Sequence, residues 1–183
     1  MTMIVILDYG VGNLTSLNNC FSRLGYQSTV SCDPRAIEDA QLLVLPGVGR
    51  FETAAIALER SGTLSALESR RASGKPILGI CLGMQLFFED SEESPGVRGL
   101  SWLKGSVVKI PTTLPLPHMG WNTLNASAKG LENLKMLKLD GDSLSGTSCE
   151  GQDMYFVHSY QVAPADDALV MMATTYGSSF PVF

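Results

Sequence analysis

A chain of 183 residues, 45% hydrophobic and 17% charged, is long enough to bury a core of its own and too apolar to be a disordered segment. Eighteen acidic residues against 13 basic ones leave a net charge of −5, and the absence of any basic cluster makes nucleic acid a poor partner. No apolar run approaches the roughly 18 residues of a membrane span, and the N-terminus lacks a basic segment and a cleavage site, so the reading is one cytoplasmic domain over residues 1–183 with no membrane role.

Taken in chain order, the run MIVIL at 3–7 reads as a strand ended by Asp8-Tyr9-Gly10, and Leu14, Leu17, Phe21 and Leu24 follow at helical spacing until Gly25. Residues 27–31 form a second strand candidate, 34–40 a short helix, and LLVLPG at 42–47 a third strand running into a glycine turn. One or two helices span 51–72 with a break near Ser61-Gly62, before a short buried strand at 76–80. This alternation predicts a mostly parallel α/β sheet with helices on both faces. Ligands of such sheets bind beyond the carboxyl ends of the strands. Three glycine-bearing loops, at 8–12, 46–49 and 79–83, lie at such ends and are expected to converge.

The second half reads differently. SVVKI, WNTLN, MYFVHSY and ALVMMATT are strand candidates separated by proline and glycine turns, and only LENLKMLKL at 131–139 has a helical pattern. A small antiparallel layer is expected here. Residues 140–152, small and polar, read as a mobile loop, and the irregular run from Pro115 to Trp121 as neither helix nor strand.

Chemistry concentrates at Gly79-Ile80-Cys81-Leu82-Gly83, a strand-to-helix turn that is the sulfur counterpart of the G-x-S-x-G nucleophile elbow. Glycines on both sides allow a sharp turn and close approach of a substrate. A helix N-terminus behind the sulfur is expected to favour the thiolate. A cysteine nucleophile needs backbone donors for an oxyanion, one from the Leu82 N–H and others from the Pro46-Gly47-Val48-Gly49 loop. The four cysteines, at 20, 32, 81 and 149, show no C-x-x-C pairing, which argues against disulfides and zinc; no metal or cofactor is expected. Only two histidines, His118 and His158, could act as general base, and on the residues alone His158 at a strand end is the better candidate.

The stretch GICLGMQLFFEDSEES resembles the nucleophile segment of the class I, triad-type glutamine amidotransferases. LDYGVGNL at 7–14, LPGVG at 45–49, LPLPHMGWN at 114–122 and YFVHSY at 155–160 resemble, in matching order, one branch of that family, the glutaminase subunits of imidazole glycerol phosphate synthase. The resemblance implies a flavodoxin-like amidotransferase fold in which Cys81 attacks glutamine. It implies an oxyanion hole from Gly47, Val48, Gly49 and Leu82, and glutamine contacts from Gly49, Gln85, Glu93 and the backbone of Ser159 and Tyr160. Ammonia would pass to a cyclase partner, a (β/α)8 barrel, docked on the face carrying Asn13, His118, Met119, Gly120 and Trp121. In this family the base is a histidine of a C-terminal His-Pro-Glu segment, and the chain stops at TTYGSSFPVF without one. The expectation is a chain cut short relative to the family. Two other readings share the elbow: a different α/β cysteine glutaminase, and a binding subunit that has lost turnover.

Overall fold

Four apolar runs build the sheet that carries Cys81. β1 (Met3–Leu7) lies between β2 (Gln27–Ser31) and β3 (Leu42–Leu45), and β3 pairs with β4 (Ile77–Gly79). All pairings are parallel, in the order β2-β1-β3-β4. The computed structural model describes residues 3–127 and 150–182, and these form two compact units, one from residues up to 90 with 94–101, the other from 91–93 and from 102 onward.

In the first unit, strand alternation sends Ile4, Ile6 and Val44 to one face, where Leu14, Leu17 and Phe21 of helix α1 (Leu14–Arg23) pack on them. Val5, Leu7, Leu43 and Leu45 point to the other face and are completely buried. Each such side chain contributes about 1.5–3 kcal/mol by leaving water. Asn13 caps α1, its side chain accepting from the Ser16 N–H at 3.2 Å. Helix α2 (Pro34–Asp39) opens on Asp33, which accepts from the Arg35 N–H at 2.9 Å, with Pro34 in the first turn where its missing N–H costs nothing. The break anticipated near Ser61-Gly62 divides α3 (Phe51–Arg60) from α4 (Leu64–Ala72). α3 has no side-chain cap of its own from Arg50; instead the Ser94 hydroxyl accepts from the Glu52 N–H at 3.2 Å.

Arg70 of α4 is 1% exposed. Its guanidinium donates to the carbonyls of Ile37 (2.9 Å), Ala40 (2.8 Å) and Pro76 (2.7 Å), and at 3.4 Å to those of Glu38 and Gln41. One planar cation thus satisfies carbonyls at the end of α2 that a helix terminus leaves unpaired, and ties them to the entry of β4. Burial lowers its pKa from the usual arginine value.

The helical pattern after Cys81 yields only α5 (Leu82–Gln85). The carbonyls that would continue it are taken by distant donors: Leu86 accepts from the Leu100 N–H at 2.7 Å, Phe88 from Ser101 at 3.2 Å and Glu89 from Gly99 at 3.0 Å. Tertiary hydrogen bonds replace the helical ladder.

The second unit is antiparallel, as expected. β5 (Asp90–Ser91), β6 (Gly105–Lys109) and β10 (Tyr160–Pro164) form one sheet in the order β10-β6-β5. β8 (Asn125–Ala126), β11 (Met172–Tyr176) and β12 (Ser178–Pro181) form a second, ordered β12-β11-β8, and β7 (His118–Thr123) pairs with β9 (Asp153–His158). The run up to Trp121, expected to be irregular, enters strand β7 at His118; Pro115 and Pro117 precede the ladder and so remove no hydrogen bond from it. MYFVHSY is divided at Ser159, where one extended segment leaves β9 for β10. ALVMMATT yields a 3-10 turn (Asp167–Leu169) before β11. Residues 131–139 and most of 140–152 lie outside the described residues. Among the described residues no helix is long and apolar enough to cross a membrane.

Candidate active site

Cys81 sits where β4 ends and α5 begins, with φ +55 and ψ −116. This backbone conformation is disfavoured for a residue with a Cβ, and it turns the side chain out of the sheet. Cys81 is accordingly exposed, whereas Leu82, Gly83 and Gln85 behind it are buried. The flanking glycines are demanded by packing. A Cβ on Gly83 would fall on the Leu45 carbonyl oxygen, and one on Gly79 would lie 2.6 Å from the Met84 Cα. The elbow is therefore pressed against the end of β3, and the Ile80 N–H donates to the Leu45 carbonyl at 3.0 Å.

The same contact brings in the second loop. A Cβ on Gly47 would lie 2.7 Å from the Gly83 nitrogen and 2.8 Å from the Leu82 Cβ. Gly47 is buried against the elbow, Val48 is 54% exposed, and Gly49 carries φ +89. Tyr9, from the first loop, donates its phenol O–H to the Pro46 carbonyl at 2.6 Å, and burial pushes that phenol well above the ordinary tyrosine pKa. A Cβ on Gly12 would meet the Pro46 ring at 3.2 Å. The three glycine loops do converge, at the carboxyl ends of β1, β3 and β4. The sequence did not single out Tyr9 as the strut between two of them; only the fold brings residues 9 and 46 together.

Electrostatics correct one expectation. Burial by the surrounding protein raises the Cys81 thiol above its ordinary pKa, and the Leu82 backbone N–H recovers part of the shift by hydrogen-bonding to it. A four-residue α5 offers too little aligned dipole to reverse that. Desolvation thus works against the thiolate, and a base is called for to make the sulfur a nucleophile.

The remaining site residues fall in separate units. Gln85 is buried behind the elbow in the first unit. Glu93, whose N–H donates to the Ser91 hydroxyl at 3.2 Å, lies in the second with Ser159 and Tyr160. The Ser159 carbonyl accepts from the Ile110 N–H at 3.0 Å, and Tyr160 pairs with Lys109. Met119 and Trp121 are 61% and 72% exposed on one face of the β7–β9 ribbon, where Trp121 meets the Tyr155 ring edge to face at 5.6 Å. His118, expected on the same docking face, is 2% exposed. Strand alternation sends it to the opposite side of the ribbon, where it stacks on Tyr176 at 4.2 Å and Phe156 at 5.1 Å. It touches His158, with Nδ1 and Nε2 3.3 Å apart. Burial, with His158 beside it, lowers the His118 pKa; burial also lowers that of His158, against the Tyr160 carbonyl.

Comparison with known proteins places this geometry. The family model described as glutamine amidotransferase class-I matches residues 5–180. The chain is 42% identical over 178 residues to the protein named imidazole glycerol phosphate synthase subunit HisH of Methanopyrus kandleri, covering 97% of the chain and 80% of the relative. It is 44% identical over 177 residues to the protein of the same name from Lactococcus lactis, covering 97% and 81%. Among solved structures, a glutamine amidotransferase crystal structure aligns with TM-score 0.69 at 16% identity, covering 97% of the chain and 82% of its own. The structure of PurLQS from Thermotoga maritima aligns with TM-score 0.61 at 17% identity, covering 97% and 77%. At such identities the structures speak for the fold alone.

Proposed function

The chain belongs to the class-I glutamine amidotransferases, in the family of the HisH subunits, and from that premise we propose that it is the glutaminase subunit of imidazole glycerol phosphate synthase. The observation that carries the chemistry is the strained, exposed Cys81 between two glycines that tolerate no Cβ, with the Pro46–Gly49 loop packed against it. In this reading the Cys81 sulfur attacks the side-chain amide carbon of glutamine. Backbone N–H groups of Leu82 and of the Gly47-Val48-Gly49 loop receive the oxyanion. Collapse of the tetrahedral adduct breaks the C–N bond, and ammonia leaves with a proton from the base. Water then hydrolyses the thioester to glutamate and restores the thiol. Gly49, Gln85, Glu93 and the backbone of Ser159 and Tyr160 hold the substrate. The nucleophile must stay reduced, which suits the cytoplasm.

The partner in this proposal is a cyclase barrel that takes the ammonia for histidine biosynthesis. Asn13, Met119, Gly120 and Trp121 would contact it, while His118 lies on the other side of the β7–β9 ribbon from Met119 and Trp121. In this reading neither His118 nor His158 is the base, since each is engaged with the other. Treatment with an electrophilic glutamine analogue followed by mass spectrometry tests the assignment. Label should appear on Cys81; label on Cys20, Cys32 or Cys149 instead would sink it. Near-normal glutamate release by this chain with the cyclase, abolished by His158→Ala, would restore His158 as base.

A further inference from the structure

The two histidines lie in a chain of hydrogen bonds whose ends are both backbone groups with fixed roles. At one end His158 Nδ1 lies 2.9 Å from the Tyr160 carbonyl oxygen, which can only accept. His158 Nδ1 therefore carries the proton. At the other end the Asn122 amide is oriented by two backbone partners: its Oδ1 accepts from the Thr123 N–H at 2.9 Å, and its Nδ2 donates to the Thr175 carbonyl at 2.7 Å. Nδ2 stands 3.4 Å from His118 Nε2. That nitrogen is therefore an acceptor, and His118 Nδ1 carries the proton.

Between the two rings, His118 Nδ1 and His158 Nε2 are 3.3 Å apart. Read from the Tyr160 end, a neutral His158 presents its lone pair on Nε2 and receives a proton from His118 Nδ1. Read from the Asn122 end, the assignment is the same. The two readings agree only if both rings are neutral, because a second proton on either would set N–H against N–H. Phe156, Tyr176 and Phe180 flank the pair with their rings, and His118 is buried among them.

The chain ends at a bend that matters. Ser159 is the single residue between β9, which pairs with β7, and β10, which pairs with β6. The His158 side chain reaches across that residue to the carbonyl of Tyr160. We propose that His118 and His158 are positioning residues of the glutamine pocket: a neutral relay from Asn122 that fixes the Ser159–Tyr160 backbone. This rests on the reading that Ser159 and Tyr160 contact glutamine. It also gives the two histidines a role that general-base chemistry does not, since the only lone pair of His158 is already taken.

With two histidines in the whole sequence, selective 15N labelling gives an unambiguous spectrum. Long-range 1H–15N correlation at pH 7 should show both rings neutral and protonated on Nδ1. An Nε2–H tautomer or an imidazolium at either position overturns the relay. Function is read from the saturation curve of Cys81 labelling by the glutamine analogue. His158→Gln, whose amide falls where Nε2 was, and His158→Phe should raise the half-saturating concentration up to about tenfold, the loss of one well-placed hydrogen bond, with the limiting rate unchanged. His158→Asn, whose Nδ2–H can occupy the Nδ1 position, should restore it. The Gln and Asn variants decide the matter even where the Phe variant does not fold. Saturable labelling indifferent to both overturns the positioning role and leaves the glutaminase reading standing; a wild-type chain with no saturable Cys81 labelling overturns both.

Discussion

Replacing Cys81 by glycine should leave this protein more stable than replacing it by alanine, by an amount set by the strained backbone at that position. A residue with a Cβ held at φ +55 and ψ −116 carries about 1–3 kcal/mol of backbone strain. Glycine relieves it but gains freedom in the unfolded chain, an offset of about 0.4–1 kcal/mol. Both variants remove the sulfur, and Cys81→Ala, which keeps the Cβ and the strain, measures the loss of its contacts directly. The net expectation is that Cys81→Gly exceeds Cys81→Ala by roughly 0.5–2 kcal/mol. At about 2–4 °C per kcal/mol for a chain of this size, that is a rise of about 1–8 °C in Tm. Thermal and urea unfolding of the two variants side by side supply the comparison. A glycine variant no more stable than the alanine variant would show that the elbow is unstrained, and the argument that strain presents the sulfur would fail.

The remaining expectations concern packing, the partner face and pH. Arg70→Met leaves the buried carbonyls of Ile37 and Ala40 without the guanidinium, while the Pro76 carbonyl keeps the Leu43 N–H, and should destabilise by about 2 kcal/mol or more in urea unfolding, at about 1–3 kcal/mol for each orphaned group. Gly83→Ala must push the elbow away from the Leu45 carbonyl; a shift near 1 Å should slow Cys81 labelling on the order of 100-fold, and an unchanged rate would mean the close contact has no bearing on reactivity. Trp121→Ala should change the stability of the isolated chain by no more than about 0.5 kcal/mol, as for an exposed side chain, while weakening cyclase binding in calorimetry. His118 and His158 have pKa values below the unfolded value of about 6.5, so the unfolded chain binds more protons in acid. Their contribution is complete above about pH 6.5 and is lost as the pH falls through their folded values, a slope that His118→Phe should reduce.

How much of this was legible beforehand follows from the range of the interactions concerned. The strands and helices of the first unit have bounds close to those that periodicity and Gly25 announce, because turns and alternation are written within a few neighbouring residues. Leu82, Gln85, Leu86 and Glu89 stand at helical spacing, yet Gly99, Leu100 and Ser101 take carbonyls that a longer helix would use. Arg70 reads as an ordinary last-turn cation, and nothing local reveals that carbonyls some thirty residues upstream will surround it.

For the candidate site, residue types and spacing singled out Cys81, its glycines and the loop that faces it, since an elbow needs a sharp turn and no side chain at the two flanking positions. The family's motifs suggested the substrate and the partner proposed above. Only the tertiary structure decided the rest. It set the strained φ of Cys81 and the contact of Gly47 with Gly83. It also raised the Cys81 thiol, where the sequence suggested a lowered one, because desolvation depends on what surrounds a group and not on its neighbours in the chain. His118 and Trp121 illustrate the division most simply. They stand three residues apart in one motif, and strand geometry sends one into an aromatic core and the other into solvent. A motif fixes which residues are present; which of them meet depends on the pairing of segments far apart in the chain.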